Sequence, residues 1–125
     1  MMERVVTING HEVKFRATAA VPRLYRIKFR RDLIRDINQI QKAIEKSKKE
    51  EEPLPMEALE LFENMAYIMA KHADPPGTPS DPDEWLEQFE TMSIYEVFPV
   101  ISELWVGNMQ TTVEAKKKLA PPSGK

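Results

Sequence analysis

RVVTINGHEVKFRAT, residues 4–18, reads as a β-hairpin that turns at Asn9-Gly10. The favoured two-residue hairpin turn needs a positive φ at both central positions, and Asn followed by Gly meets that need with little strain. Pairing across this turn sets Ile8 opposite His11, Val6 opposite Val13, and Arg4 opposite Phe15. Side chains alternate along a strand, so Val6, Ile8, Val13 and Phe15 share one face. A lone hairpin is marginal in water, and this face must pack on something. The helices that follow are the candidates. The expected fold class is therefore α+β, an N-terminal hairpin packed against about four helices.

Thr18 and Pro22 mark the entry to the first helix, expected over about 22–47. Phe29, Leu33, Ile37, Ile40 and Ile44 recur at the three- and four-residue spacing of one helical stripe. The lysine/glutamate run 46–52 and Pro53 end it. A second helix, 55–73, carries Leu59, Phe62, Met65, Ala66, Met69 and Ala73 inward, and DPPGTPSDP, residues 74–82, forms a loop. Asp81-Pro82-Asp83-Glu84 supplies an N-cap, a first-turn proline and an acidic first turn for a short helix, 82–90, that buries Trp85, Leu86 and Phe89. Ser93-Ile94-Tyr95-Glu96 is a capping box for a last helix, 94–106. Its stripe is Val97 or Phe98 with Ile101, Leu104 and Trp105; Pro99 should bend it and Gly107-Asn108 should stop it. The single domain thus spans 4–108, and 109–125 reads as a disordered basic tail.

With 125 residues, 42% of them hydrophobic, the chain is sized for one modest core. It has no cysteine, which excludes disulfides and thiolate chemistry. Met1–Arg4 lacks the apolar run of a signal peptide, and no stretch approaches membrane-spanning length, so a cytosolic location is expected. The net charge of −2 conceals a strong segregation. Residues 1–50 hold 13 Lys/Arg against 6 Asp/Glu, a net of +7, whereas 51–105 hold Lys71 against 13 acids, a net of −12. Residues 106–125 hold four lysines against Glu114, a net of +3. Either the halves neutralise each other within one molecule, or the basic surface of one copy meets the acidic surface of the next in a head-to-tail homo-oligomer.

Catalysis needs a constellation of groups, and none is apparent. His11 sits by the turn, and His72 near a helix C-terminus where an imidazolium is mildly favoured. Glu57, Glu60 and Glu63 step along a helix surface. Asp81, Asp83 and Glu84 lack the ligand spacing and central glycine of a calcium loop. The four glycines are isolated and cannot cradle a phosphate. No catalytic, cofactor or metal site and no small-molecule substrate is expected. RLYRIKFRRDLIR, residues 23–35, carries six basic residues with Tyr25 and Phe29. A phosphate-binding face of that kind would make a nucleic-acid-binding regulator, although nothing resembles a recognition-helix pair. A solvated or partner-facing helix is the preferred reading.

Thr7-Ile8-Asn9-Gly10 with Val13-Lys14-Phe15, Pro22-Arg23-Leu24-Tyr25-Arg26 and Phe29-Arg30-Arg31-Asp32 resemble the tail assembly chaperones of long-tailed phages and prophages of Gram-positive bacteria. Met65–Lys71, Asp83-Glu84-Trp85-Leu86 with Phe89, and Ile94–Val97 through Trp105 and Asn108 look like the middle and end of the same family. The resemblance covers about Val5 to Lys118 and consists of ordered hydrophobic and charge patterns, with no catalytic signature. It implies a protein of the bacterial host cytoplasm that coats the tape measure protein, helps the major tail protein polymerise around it, and is absent from the mature virion. It also implies a longer, frameshifted form of the same chain. An A-rich slippery run could encode Lys116-Lys117-Lys118, which reads equally as a plain basic tail. The Met-rich second helix (Met56, Met65, Met69) offers either adaptable apolar surface or ordinary core. Contacts between copies are expected from Arg23, Tyr25, Arg26, Arg30 and Arg31 on the basic face, with Glu84, Glu87 and Glu96 as their acidic counterpart. A small virion structural or connector protein is the alternative of a different class.

Overall fold

Asn9 and Gly10 take φ values of 51° and 82°, the pair of positive values that the turn requires. In the computed structural model, which describes residues 2–119 and only the backbone of 107–119, they join β1 (Glu3–Ile8) to β2 (His11–Arg16). The antiparallel register is the expected one, with Ile8 opposite His11, Val6 opposite Val13 and Arg4 opposite Phe15. Ile8 and Phe15 are buried and Val6 and Val13 half-buried, so the shared face is the packed one, and α3 lies against β2. The hairpin tip is also tied down. Asn9 Oδ1 accepts from the Thr91 N–H at 2.8 Å, and His11 meets the Phe89 ring edge-on at 5.7 Å between centroids.

Among the described residues five helices follow where about four were expected, because the first predicted helix is two. α1 is Val21–Phe29 and α2 is Leu33–Glu50. Arg30 closes α1 in the left-handed region at φ 59°, donating its N–H to Arg26 O. Asp32 then opens α2, its Oδ1 accepting from Arg35 N–H at 3.0 Å. Two competing caps thus override a hydrophobic stripe that runs through the corner without a break. Beneath the corner Asp36, 1% exposed, accepts from Tyr25 Oη at 2.7 Å and from Arg31 Nε and Nη2 at 2.8 and 2.9 Å.

α3, Met56–Ala73, is the central element, and every residue from Met65 to Ala70 is buried. Met65 and Met69 are core, whereas Met56 is 83% exposed at the helix start. The loop after α3 is held by side chains: Thr78 Oγ1 donates to Asp74 O, Tyr67 Oη to Pro79 O, and Lys71 Nζ to the carbonyls of Pro75 and Thr78. α4 is Pro82–Leu86, shorter than the expected 82–90, with Asp81 as N-cap. Turn-type bonds after Leu86 still bring Phe89 inward beside Trp85. α5 runs from Ile94 to Leu119, continuous through Pro99 and through the stop expected at Gly107-Asn108. A helical glycine costs about 1 kcal/mol relative to alanine, and the good helix formers Met109, Gln110 and Glu114–Leu119 offset one such residue. The backbone of 109–119, read from sequence as part of a disordered tail, is accordingly helical, and residues 120–125 of that tail lie outside the described residues. Ile94, Val97, Phe98, Ile101, Leu104 and Trp105 join the core from this helix.

Candidate partner-binding surfaces

α1 buries Val21 and Tyr25 and half-buries Phe29, so the rest of its circumference faces outward with two unlike flanks. On one flank stand Leu24 and Ile27, three residues apart and 37% and 64% exposed. They form one wall of an apolar groove of about 570 Å³ whose other wall is Tyr67 and Ile68 of α3, with Pro75 also in its lining. On the other flank Arg26, Arg30 and Arg31 line a separate concavity of about 420 Å³ with Pro22, Asp32, Leu33 and Ile34. Arg23 is exposed on α1 outside both.

Of the residues expected to contact another copy, Tyr25 is placed otherwise. It is fully buried, and burial together with the hydrogen bond to Asp36 holds its phenol well above the ordinary range. Tyr25 is a core residue that anchors α1. Arg31 is half in each role: its side chain is 44% exposed, yet its guanidinium is committed to Asp36, whose hydrogen bond and charge raise its pKa. Arg23, Arg26 and Arg30 are exposed. Sequence reasoning missed the clasp because Asp36, four residues past an aspartate that caps a helix, looks like one more exposed helical charge.

The acidic surface is broader than expected. Glu84 on α4, Glu87 just past it and Glu96 in the first turn of α5 are all exposed. Glu60 and Glu63 of α3 extend this surface beside Asp83. Partial burial, then the charges of Glu60 and Asp83, push the Glu63 carboxyl above its usual range. The effect places Asp83 near Glu63, so acids of α3 and α4 lie close together.

Direct ion pairing between basic and acidic regions is sparse. Among the described residues the salt bridges are Arg4–Glu103 at 3.2 Å, Arg16–Glu3 at 3.6 Å and Arg31–Asp36 at 2.8 Å. Only the first joins the basic N-terminal half to the acidic region, and it is exposed. Arg23, Arg26 and Arg30 therefore present charge to solvent, as do Glu84, Glu87 and Glu96.

Both histidines have structural neighbours. His11 packs on Phe89, and His72 Nε2 lies 2.7 Å from Thr18 Oγ1. Burial, then the charge of Arg16, lowers the His72 pKa against a smaller opposing effect of Glu3. A third concavity of about 320 Å³ lies between α2 and α5, where Ile44 and Phe98 meet the exposed Tyr95 and Val106. Among the described residues no helix is long and apolar enough to cross a membrane. No protein-family model, curated protein or solved structure matches the chain.

Proposed function

We propose that this chain is a tail assembly chaperone of a long-tailed phage or prophage. It binds the tape measure protein in the host cytoplasm, keeps it soluble, promotes polymerisation of the major tail protein around it, and leaves before the virion is complete. A longer, frameshifted form of the chain acts beside it, and copies associate head to tail. The resemblance of the hairpin, the basic helix and the tryptophan-bearing C-terminal segments supports the family. The observation that carries the reading is the surface of α1, where an apolar groove faces outward on one flank and Arg26 and Arg30, which form no ion pair among the described residues, face outward on the other. Exposed apolar surface beside segregated charge serves binding, and the outward-facing Leu24, Ile27, Arg26 and Arg30 are not part of the chain's own core.

Head-to-tail association follows from the same charges. Arg23, Arg26 and Arg30 on one side face the Glu60, Glu63, Glu84, Glu87 and Glu96 side of the next copy. The surfaces differ, so the contact is heterologous and extends into a ring or spiral, the form needed to coat an elongated client.

The test is co-expression of tagged chain with the tape measure protein from the same genome. Co-purification supports the proposal. No interaction, with both proteins folded and soluble, overturns it. Mass spectrometry of purified virions separates the chaperone from a virion structural protein, since the chaperone must be missing from the particle.

A further inference from the structure

The groove between α1 and α3 differs in chemistry from the arginine-lined concavity across the same helix. Its walls are Leu24, Ile27, Tyr67 and Ile68. The polar side chains at its edge are already engaged. Lys28 Nζ donates to Ser80 O at 3.0 Å, Lys71 Nζ to two loop carbonyls, Tyr67 Oη to Pro79 O, and His72 meets Thr18. Few groups remain to orient a small polar ligand, whereas apolar side chains would find a lined trough. Among the described residues the charged side chains that line the groove are Lys28 and Lys71, with no carboxylate in its walls and Asp81 outside them acting on the Tyr67 phenol.

We infer that this groove is the client-binding site, and that its occupant is an amphipathic helix of another protein whose apolar stripe is bordered by acidic residues. A helix laid in a groove is read by apolar side chains at three- and four-residue spacing, which matches walls set by Leu24 and Ile27 on one helix and by Ile68 on another. The basic rim selects acidic borders. The chain's own C-terminal region does not suit, because residues 106–125 carry four lysines against one glutamate. The arginine flank of α1 stays free for the neighbouring copy, so one helix serves client and self-association on opposite sides. This assignment rests on the chaperone reading for the client's identity, but not for its chemistry.

The probe is therefore a synthetic amphipathic peptide with a leucine stripe and glutamate borders, titrated into the full-length ¹⁵N-labelled chain, with a lysine-bordered peptide as its counterpart. The glutamate peptide is expected to shift the amides of Leu24, Ile27 and Ile68 and to bind about tenfold more tightly than the lysine peptide. I27E is expected to weaken binding about tenfold without changing the melting temperature, since Ile27 is largely exposed. R26E, on the other flank, is expected to change binding less than about threefold at physiological salt, where exposed charges are screened within about 8 Å. No saturable binding, equal affinity for both peptides, indifference to I27E, or shifts centred on Pro22 and Ile34 would overturn the assignment. So would the same groove shifts produced by raising the chain's own concentration, since they would make a second copy the occupant. No phage protein enters the titration. Co-purification of the tape measure protein by an I27E chain would sink the groove and spare the function; peptide binding without tape measure binding would do the reverse.

Discussion

Asp36 is a buried carboxylate whose two oxygens receive three donors, one from a buried tyrosine and two from an arginine that reaches solvent. Removing it leaves the Tyr25 hydroxyl buried and unpaired and the Arg31 guanidinium without its acceptor. D36A is expected to lower unfolding free energy by about 3 kcal/mol in urea denaturation. Y25F, which leaves the two arginine bonds in place, should cost about 1 kcal/mol. Equal losses in the two variants would show that the clasp does not hold the corner. His72 allows a pH test. Burial and the nearby charge of Arg16 hold its folded pKa below the ordinary histidine value of about 6.5, so the folded state prefers the neutral ring and the unfolded state binds the extra proton. Its contribution is present above pH 6.5 and is lost as pH falls through the depressed value. Thermal melts should show stability falling below pH 6.5, and H72Q should flatten that slope. Little of this was legible in the chain. Which of several helical aspartates turns inward depends on where the helix breaks, and a single continuous hydrophobic stripe hid the break.

At the scale of elements the hairpin was the most legible part, because Asn9-Gly10 specifies turn, register and buried face through one local requirement. Asn9 adds a long-range role in accepting from Thr91 N–H. N9G keeps the positive φ and loses that bond, so it should cost about 1 kcal/mol, whereas N9A also meets left-handed strain and should cost about 2–3 kcal/mol. Near-equal losses measured by denaturant unfolding would leave the turn conformation without energetic weight. The α1–α2 corner offers the opposite change. Arg30 sits at φ 59° only to end a helix, and R30G should raise stability by a few tenths to about 1 kcal/mol. The corner was signalled by Asp32 ahead of Leu33-Ile34, a capping residue before an apolar pair, and the stripe outweighed it. Similarly, Gly107 was read as a stop although a stop also needs the chain to leave the helix after it, and the helix-favouring residues beyond it do not.

For the whole molecule, the segregation of charge was visible in the sequence, and the structure adds that one exposed salt bridge connects the two regions among the described residues. The groove of α1 and α3 was not visible, since its walls come from helices about 40 residues apart, each of which reads as an ordinary amphipathic helix. If the charged faces join copies, sedimentation at about 0.05 M salt should show species larger than at about 0.5 M, and the pair R26E/R30E should dissociate them even at low salt. A salt-independent distribution would restrict the charges to solubility. Under the proposed function these surfaces together hold an elongated client in solution. The most direct measurement is the soluble fraction of the tape measure protein expressed with and without this chain. Alone it is expected to aggregate, and with the chain it is expected to become soluble in a complex. A tape measure protein that remains equally insoluble beside abundant, folded chain would contradict the proposed function.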